Sequence, residues 1–240
     1  MNIDEFYKKC KDLESEIRKL NCGSLEIEPI SDGVINPYEY FNANIKIIWI
    51  LKESNDLING SGGGWSLPEK INNLKNWQEQ VKTGSYITFQ RMIYSSFGIL
   101  NNFMLWKEMP QIYEQTVFET FKKIGYINIK KCPGISNAYN PEIQKAYNTT
   151  KELLFKQLEL YNPDIIIGGN TINYFLEDLN LNQSDKIIVD SRTKNTAYFT
   201  WNDKLIIDAY HPAYYYIKEE VYCNEIILAA NNWYKNIERI

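Results

Sequence analysis

The sequence predicts a single α/β domain over residues 1–240, a three-layer α/β/α arrangement around a central, mainly parallel, four-stranded sheet. Three observations lead there. Short apolar runs alternate with longer amphipathic segments. The runs are almost continuously apolar, as in strands covered on both faces. The connections are short, with no internal repeat and no long linker.

In chain order, residues 3–20 carry Ile3, Phe6, Tyr7, Leu13, Ile17 and Leu20 at the spacing of an amphipathic helix. Residues 31–37 are rich in turn formers. Ile45–Leu51 reads as the first strand, and a polar, glycine-rich loop runs from Lys52 to Trp65. Helical patterns follow at 86–104 and 113–123. Tyr126–Ile129 is a short second strand. Residues 141–160 form a helix with Ile143, Tyr147, Leu154 and Leu158 on its apolar side. Asp164–Ile167 is a third strand ending in Gly168-Gly169, and Leu205–Ala209 a fourth ending at Tyr210-His211-Pro212. Lys186–Val189 is an additional strand candidate. The last helix is expected from Tyr214 to Ile237.

Composition narrows the class. Lys and Arg number 26 against 30 Asp and Glu, for a net charge of −4. Such a chain does not coat nucleic acid by bulk electrostatics, although a local basic patch stays open to it. The 18 Tyr and 6 Trp suit either base stacking or core filling. Four cysteines form no CxxC pair and only one histidine is present, which argues against a zinc site. The expectation is four free thiols in a cytoplasmic monomer. The acidic, polar N-terminus is unlike a signal peptide, no apolar run is long enough to span a bilayer, and no membrane partner is expected.

Open parallel sheets bind ligands beyond the carboxyl ends of their strands. After the first strand stand Lys52, Glu53, Ser54, Asn55 and Asp56; at the second, Asn128, Lys130 and Lys131; after the third, Gly168, Gly169, Asn170 and Thr171; after the fourth, His211-Pro212. A carboxylate, an amide, an imidazole and a glycine pair thus converge on one edge. Gly60–Gly64 has neither phosphate-loop nor dinucleotide-loop spacing.

These segments carry a resemblance. Ile50-Leu51-Lys52-Glu53-Ser54-Asn55 resembles the strand and polar loop of the first motif of the uracil-DNA glycosylase superfamily. Asn128-Ile129-Lys130-Lys131-Cys132-Pro133 is similar to an Asn-Val-Val-Lys-Cys-Arg-Pro stretch of bacterial members. Asn162–Gly168 is similar to their third-strand segment, and Tyr210-His211-Pro212-Ala213 to the His-Pro-Ser motif. The likeness covers about 170 residues, from Ile45 to Tyr216. Lys52 replaces the usual Gly, Asn55 stands near the usual Pro, and Ala213 replaces Ser. The cysteines do not match the family's iron–sulfur pattern, so neither cofactor nor metal is expected.

The resemblance implies a DNA glycosylase that flips a uracil, or another damaged or modified base, from single- or double-stranded DNA and hydrolyses its N-glycosidic bond. It implies that His211 donates to a base carbonyl, and that Glu53, with Asn55 or Asp56 as rivals, positions water or offsets charge on the sugar. Asn128 would read the base and Trp65 stack on it, with Lys52 and Gly168 as further substrate contacts. Tyr214 or Tyr215 would hold the duplex open. Lys130, Lys131, Arg192, Lys194, Ser61, Ser191 and Thr171 are candidate phosphate contacts. The competing readings are an inactive nucleic-acid-binding domain of the same fold and a hydrolase of free nucleosides or nucleotides.

Overall fold

The computed structural model describes residues 1–81 and 85–237. Its elements in chain order are α1 (Ile3–Ile17), β1 (Gly33–Val34), α2 (Pro37–Phe41), β2 (Ile47–Leu51), α3 (Leu67–Asn72), α4 (Trp77–Val81), α5 (Tyr86–Leu100), α6 (Gln115–Phe118), β3 (Gly125–Asn128), α7 (Asn140–Tyr161), β4 (Ile165–Gly169), β5 (Ile187–Ile188), β6 (Thr196–Trp201), β7 (Lys204–Ala209) and α8 (Glu219–Ile237). Short polar side chains start several helices: Asn2 accepts from Glu5 N, Asn36 from Tyr38 N, and Ser66 from Glu69 N.

Among the described residues the strands form one seven-stranded mixed sheet, ordered β1-β3-β2-β4-β7-β6-β5. β3, β2, β4 and β7 run parallel, and these are the four strands expected from the sequence. The four-stranded expectation is too narrow, because β1 adds antiparallel to β3 and β6 adds antiparallel to β7. β6 and β7 form a hairpin whose turn residues, Asn202 and Asp203, both take positive φ (45° and 63°). Asn and Asp tolerate this conformation, which two-residue hairpins favour. β5, at the far edge, occupies the additional strand candidate.

Side chains alternate across the strands and feed two cores. Ile47, Trp49, Leu51, Ile165, Ile167, Leu205 and Ile207 face a core completed by α3, α5, α6 and α8. Ile48, Ile50, Ile127, Ile166 and Ile206 face a second core completed by α1, α2 and α7. The continuous apolar runs are explained by this two-sided cover.

Three expectations about helices need correction. The segment 113–123 contains only the single turn α6, followed by a 3-10 stretch at Glu119–Lys123. α5 stops at Leu100, because Asn102 and Phe103 adopt positive φ and turn the chain back. The last helix begins at Glu219, not Tyr214: Tyr214 N donates to His211 O at 2.8 Å in a turn that precedes it.

The cysteines differ too. Cys22 and Cys132 are joined in a disulfide with a sequence separation of 110, while Cys10 and Cys223 are free and buried. Nothing in the local spacing links Cys22 to Cys132; only the packing of the chain after α1 against the loop after β3 brings them together. No helix among the described residues is long and apolar enough to cross a membrane.

Candidate functional site

The loops that follow β2, β3 and β7 surround a cleft of about 660 Å³. Lys52, Glu53, Ser54, Asn55 and Asp56 line it from β2, Ile135 to Ala138 from β3, and His211, Ala213, Tyr214 and Tyr215 from β7. Trp65, Lys70, Thr88 and Phe89 complete the wall. Eight of the sequence-predicted site residues therefore share one cavity: Lys52, Glu53, Asn55, Asp56, Trp65, His211, Tyr214 and Tyr215.

The β2 side is held by charge. Glu53 has a side chain only 5% exposed, and its Oε2 accepts from Lys130 Nζ at 2.6 Å. Its carboxylate rests on Gly134, where an added Cβ would lie 2.0 Å from Glu53 Cδ. That glycine is the one residue that leaves the carboxylate room. The Gly134 carbonyl accepts from Asp56 N and Leu57 N, and Gly134 N donates to Ser54 O, so the loops after β2 and β3 are knitted together. Asn55 is exposed and pairs through its backbone with Gly134. Lys52 Nζ donates to Asn140 Oδ1 at 2.9 Å, and partial burial lowers its pKa.

Below this lip lies a fully buried ion pair. Lys131 Nζ donates to both Asp32 oxygens (2.7 and 2.9 Å) and to Gln157 Oε1, and both charged side chains are 0% exposed. Asp32 Oδ2 also accepts from Asn128 N. Lys131 is thus a buried structural cation and no phosphate contact.

Asp56 has a positioning role. Its Oδ2 accepts from Trp65 Nε1 at 2.8 Å and from Gly63 N at 3.0 Å, which fixes the indole against the cleft. Lys70 Nζ sits 4.4 Å from the centre of the Trp65 ring. The loop glycines serve this folding-back: Gly63 has φ +88°, and a Cβ there would lie 1.8 Å from Glu28 O.

On the opposite lip, His211 Nδ1 accepts from Ala213 N at 3.1 Å. With Nδ1 an acceptor, the proton resides on Nε2, and the imidazole offers one N–H donor. Burial, and secondarily the positive charge of Lys52, pull its pKa down to about 4, so the ring is neutral near pH 7. The turn beneath it is fixed from below. The buried Arg91 donates to Tyr214 O (2.8 Å) and Ile217 O (2.6 Å), and Tyr222 Oη donates to Tyr210 O (2.8 Å).

Other expected site residues lie elsewhere. Asn128 is buried behind the wall and donates from Nδ2 to Ser54 Oγ, so Ser54 and Tyr126, not Asn128, line the cleft. Gly168 lies inside β4, where a Cβ would be 2.4 Å from Ile172 Cδ1; it serves packing and does not line the cleft. Thr171 is buried and donates to Ile50 O, and Ser61 donates to Ile58 O. Arg192 chelates Asp190 on the surface. Sequence reasoning passed over Tyr126, Phe89 and Thr88, which come from elements whose periodicity reported only core packing. Burial raises the pKa of the Tyr126 hydroxyl, so it stays protonated. Among the described residues no group of three or more His, Cys, Asp or Glu side chains could hold a metal ion.

The cleft lies at the carboxyl edge of a parallel sheet, with a neutral imidazole donor on one lip and a lysine-paired carboxylate on the other. Comparison with known protein families found no family model that matches the chain, and comparison with characterised proteins found no match.

Proposed function

We propose that the protein is a DNA glycosylase that takes a flipped, damaged or modified base, uracil included, into this cleft. The observation that carries the reading is His211, the chain's single histidine, half-buried, neutral, and fixed as an Nε2–H donor by Ala213 N. A neutral donor aimed at a base carbonyl stabilises the anion that leaves when the C1′–N bond breaks. The electron pair goes to the base nitrogen and water oxygen bonds to C1′. Glu53, hydrogen-bonded to Lys130, would offset the sugar's transient positive charge and orient that water. The likeness of the segments around Glu53, Lys130 and His211 to the uracil-DNA glycosylase superfamily supports the same reading.

The test is an oligonucleotide panel, single- and double-stranded, carrying uracil and other altered bases. The expected outcome is an alkali-labile abasic site with at least one of them, reduced about 10²–10³-fold by His211→Ala. A folded protein that leaves every base in place sinks the enzyme reading. The Glu53–Lys130 pair favours a second reading, an inactive nucleic-acid-binding domain, because a carboxylate already engaged by a lysine is less free to hold a water. In that case Glu53→Gln and His211→Ala leave affinity unchanged and there is no turnover to lose.

A further inference from the structure

The turn after His211 carries an unusual surface. Tyr215 and Tyr216 are 73% and 72% exposed, and Tyr210 and Tyr214 are also exposed. The four rings form one chain of contacts. Tyr210 stacks on Tyr214 with centroids 4.6 Å apart and planes 10° apart. Tyr214 meets Tyr216 at 5.4 Å, and Tyr216 meets Tyr215 at 4.1 Å. Exposed aromatic surface of this extent marks an interaction site. The rings stand on a backbone fixed by Arg91 and Tyr222, so the surface is formed in advance and not on binding.

The tyrosines also form a partition. Tyr214 and Tyr215 line the main cleft, whereas Tyr210 lines a second recess of about 370 Å³. That recess presents Asn170, Asn195, Lys186 and Lys194. Lys186 is paired with Asp208 at 2.6 Å, whereas no ion pair engages Lys194 among the described residues. The row is thus bounded by the cleft on one side and by an amide-rich, cationic hollow on the other. Stacking rings beside a cationic hollow suit a ligand that alternates flat rings with anionic groups.

We infer that the Tyr210–Tyr214–Tyr216–Tyr215 row is a stacking platform for an unpaired DNA strand, with a backbone phosphate flanking the bound bases received in the recess by Lys194. Such a strand presents free base faces to the exposed rings; a duplex hides them. The chain's net charge of −4 requires that stacking, not bulk charge, supply the affinity. The inference rests on the nucleic-acid reading above but not on turnover.

The experiment measures binding of a fluorescently labelled dT12 strand, and of the same strand annealed to dA12, which carry no altered base. Tyr215→Ala and Tyr216→Ala are each expected to weaken single-strand binding about 5- to 150-fold, the range of losing one stacked base. Their melting temperatures stay unchanged, because both side chains are solvent-exposed, and Tyr→Phe at either position retains affinity. Lys194→Ala is expected to flatten the slope of log K against log salt by about 0.7, one phosphate on a single strand. Duplex binding as tight as single-strand binding overturns the platform and makes the tyrosines a duplex wedge. Absence of single-strand binding, or affinity unaltered in the Tyr215→Ala/Tyr216→Ala double variant, overturns it outright. Absence of base excision leaves it standing, and excision that ignores these tyrosines removes the platform while keeping the glycosylase reading.

Discussion

The two lips of the cleft are built by opposite means. The lip after β2 is held by charge: Glu53 on Lys130, and beneath it Asp32 on Lys131 with Gln157. The lip after β7 presents uncharged groups, a neutral imidazole and a row of tyrosines, and is held through its main-chain carbonyls by Arg91 and Tyr222. The first lip fixes a carboxylate in the wall of the cavity. The second leaves Tyr215 and Tyr216 exposed, because its backbone is held by Arg91 and Tyr222 and, at Ala213, by His211 Nδ1. The comparison teaches that one edge of a parallel sheet can host a charged and an aromatic face within a single cavity, provided each has its own support.

The comparison can be broken from either side. The largest expected effect is on the charged lip. Lys131→Ala leaves Asp32 buried without a counter-charge, which costs about 3–5 kcal/mol of stability in urea unfolding. A loss below about 1 kcal/mol removes the claim that this pair supports the site. Arg91→Met ranks second. It strips one buried and one part-buried carbonyl of their donors, for a loss of about 2–3 kcal/mol. The accompanying rise in amide hydrogen exchange is expected at residues 213–217, with the β2 lip unaffected. Exchange rising equally on both lips means that they are one unit and the contrast is false.

The smallest effect is electrostatic and crosses the cleft. His211 is the single histidine, so its imidazole NMR signals are unambiguous. The expected titration midpoint is about 4, and a midpoint near 6.5 refutes the half-buried, neutral ring. The sign for stability follows. As pH falls below about 6.5 the unfolded chain takes up the proton first, so stability drops until about pH 4 and then levels off. Lys52→Met removes the nearby cation, raises the His211 midpoint and narrows that window. An unchanged midpoint shows that burial alone sets it.

Much of this was legible in sequence, for identifiable reasons. Ile47–Leu51, Ile165–Gly169 and Leu205–Ala209 are runs with a single physical use, a strand covered on both faces. The convergence of Glu53 and His211 followed from the rule that ligands bind at carboxyl ends of parallel strands. The turn Asn202-Asp203 was readable as a hairpin signal, yet the alternation in β6 is weak, and the strand was passed over. Other errors concern partner choice. Asn128 and Lys131 sit one step from the cleft, where Ser54 takes the Asn128 Nδ2 and Asp32 the Lys131 ammonium, and no sequence spacing encodes that. Asp56 looked like a rival catalyst and is the anchor of Trp65.

By itself, then, the sequence determined the alternation of strand and helix and the set of residues delivered to one edge, because both follow from periodicity and strand polarity, which are local. Only the tertiary structure decided which of those residues face the cavity and which lock it from behind. It joined Cys22 to Cys132, gave Glu53 to Lys130 in place of its neighbour Lys52, and stopped the last helix short so that Tyr214, Tyr215 and Tyr216 stand in the open. These outcomes depend on distances between segments far apart in the chain, and burial settles them by making each polar group take whichever partner the packing brings within reach.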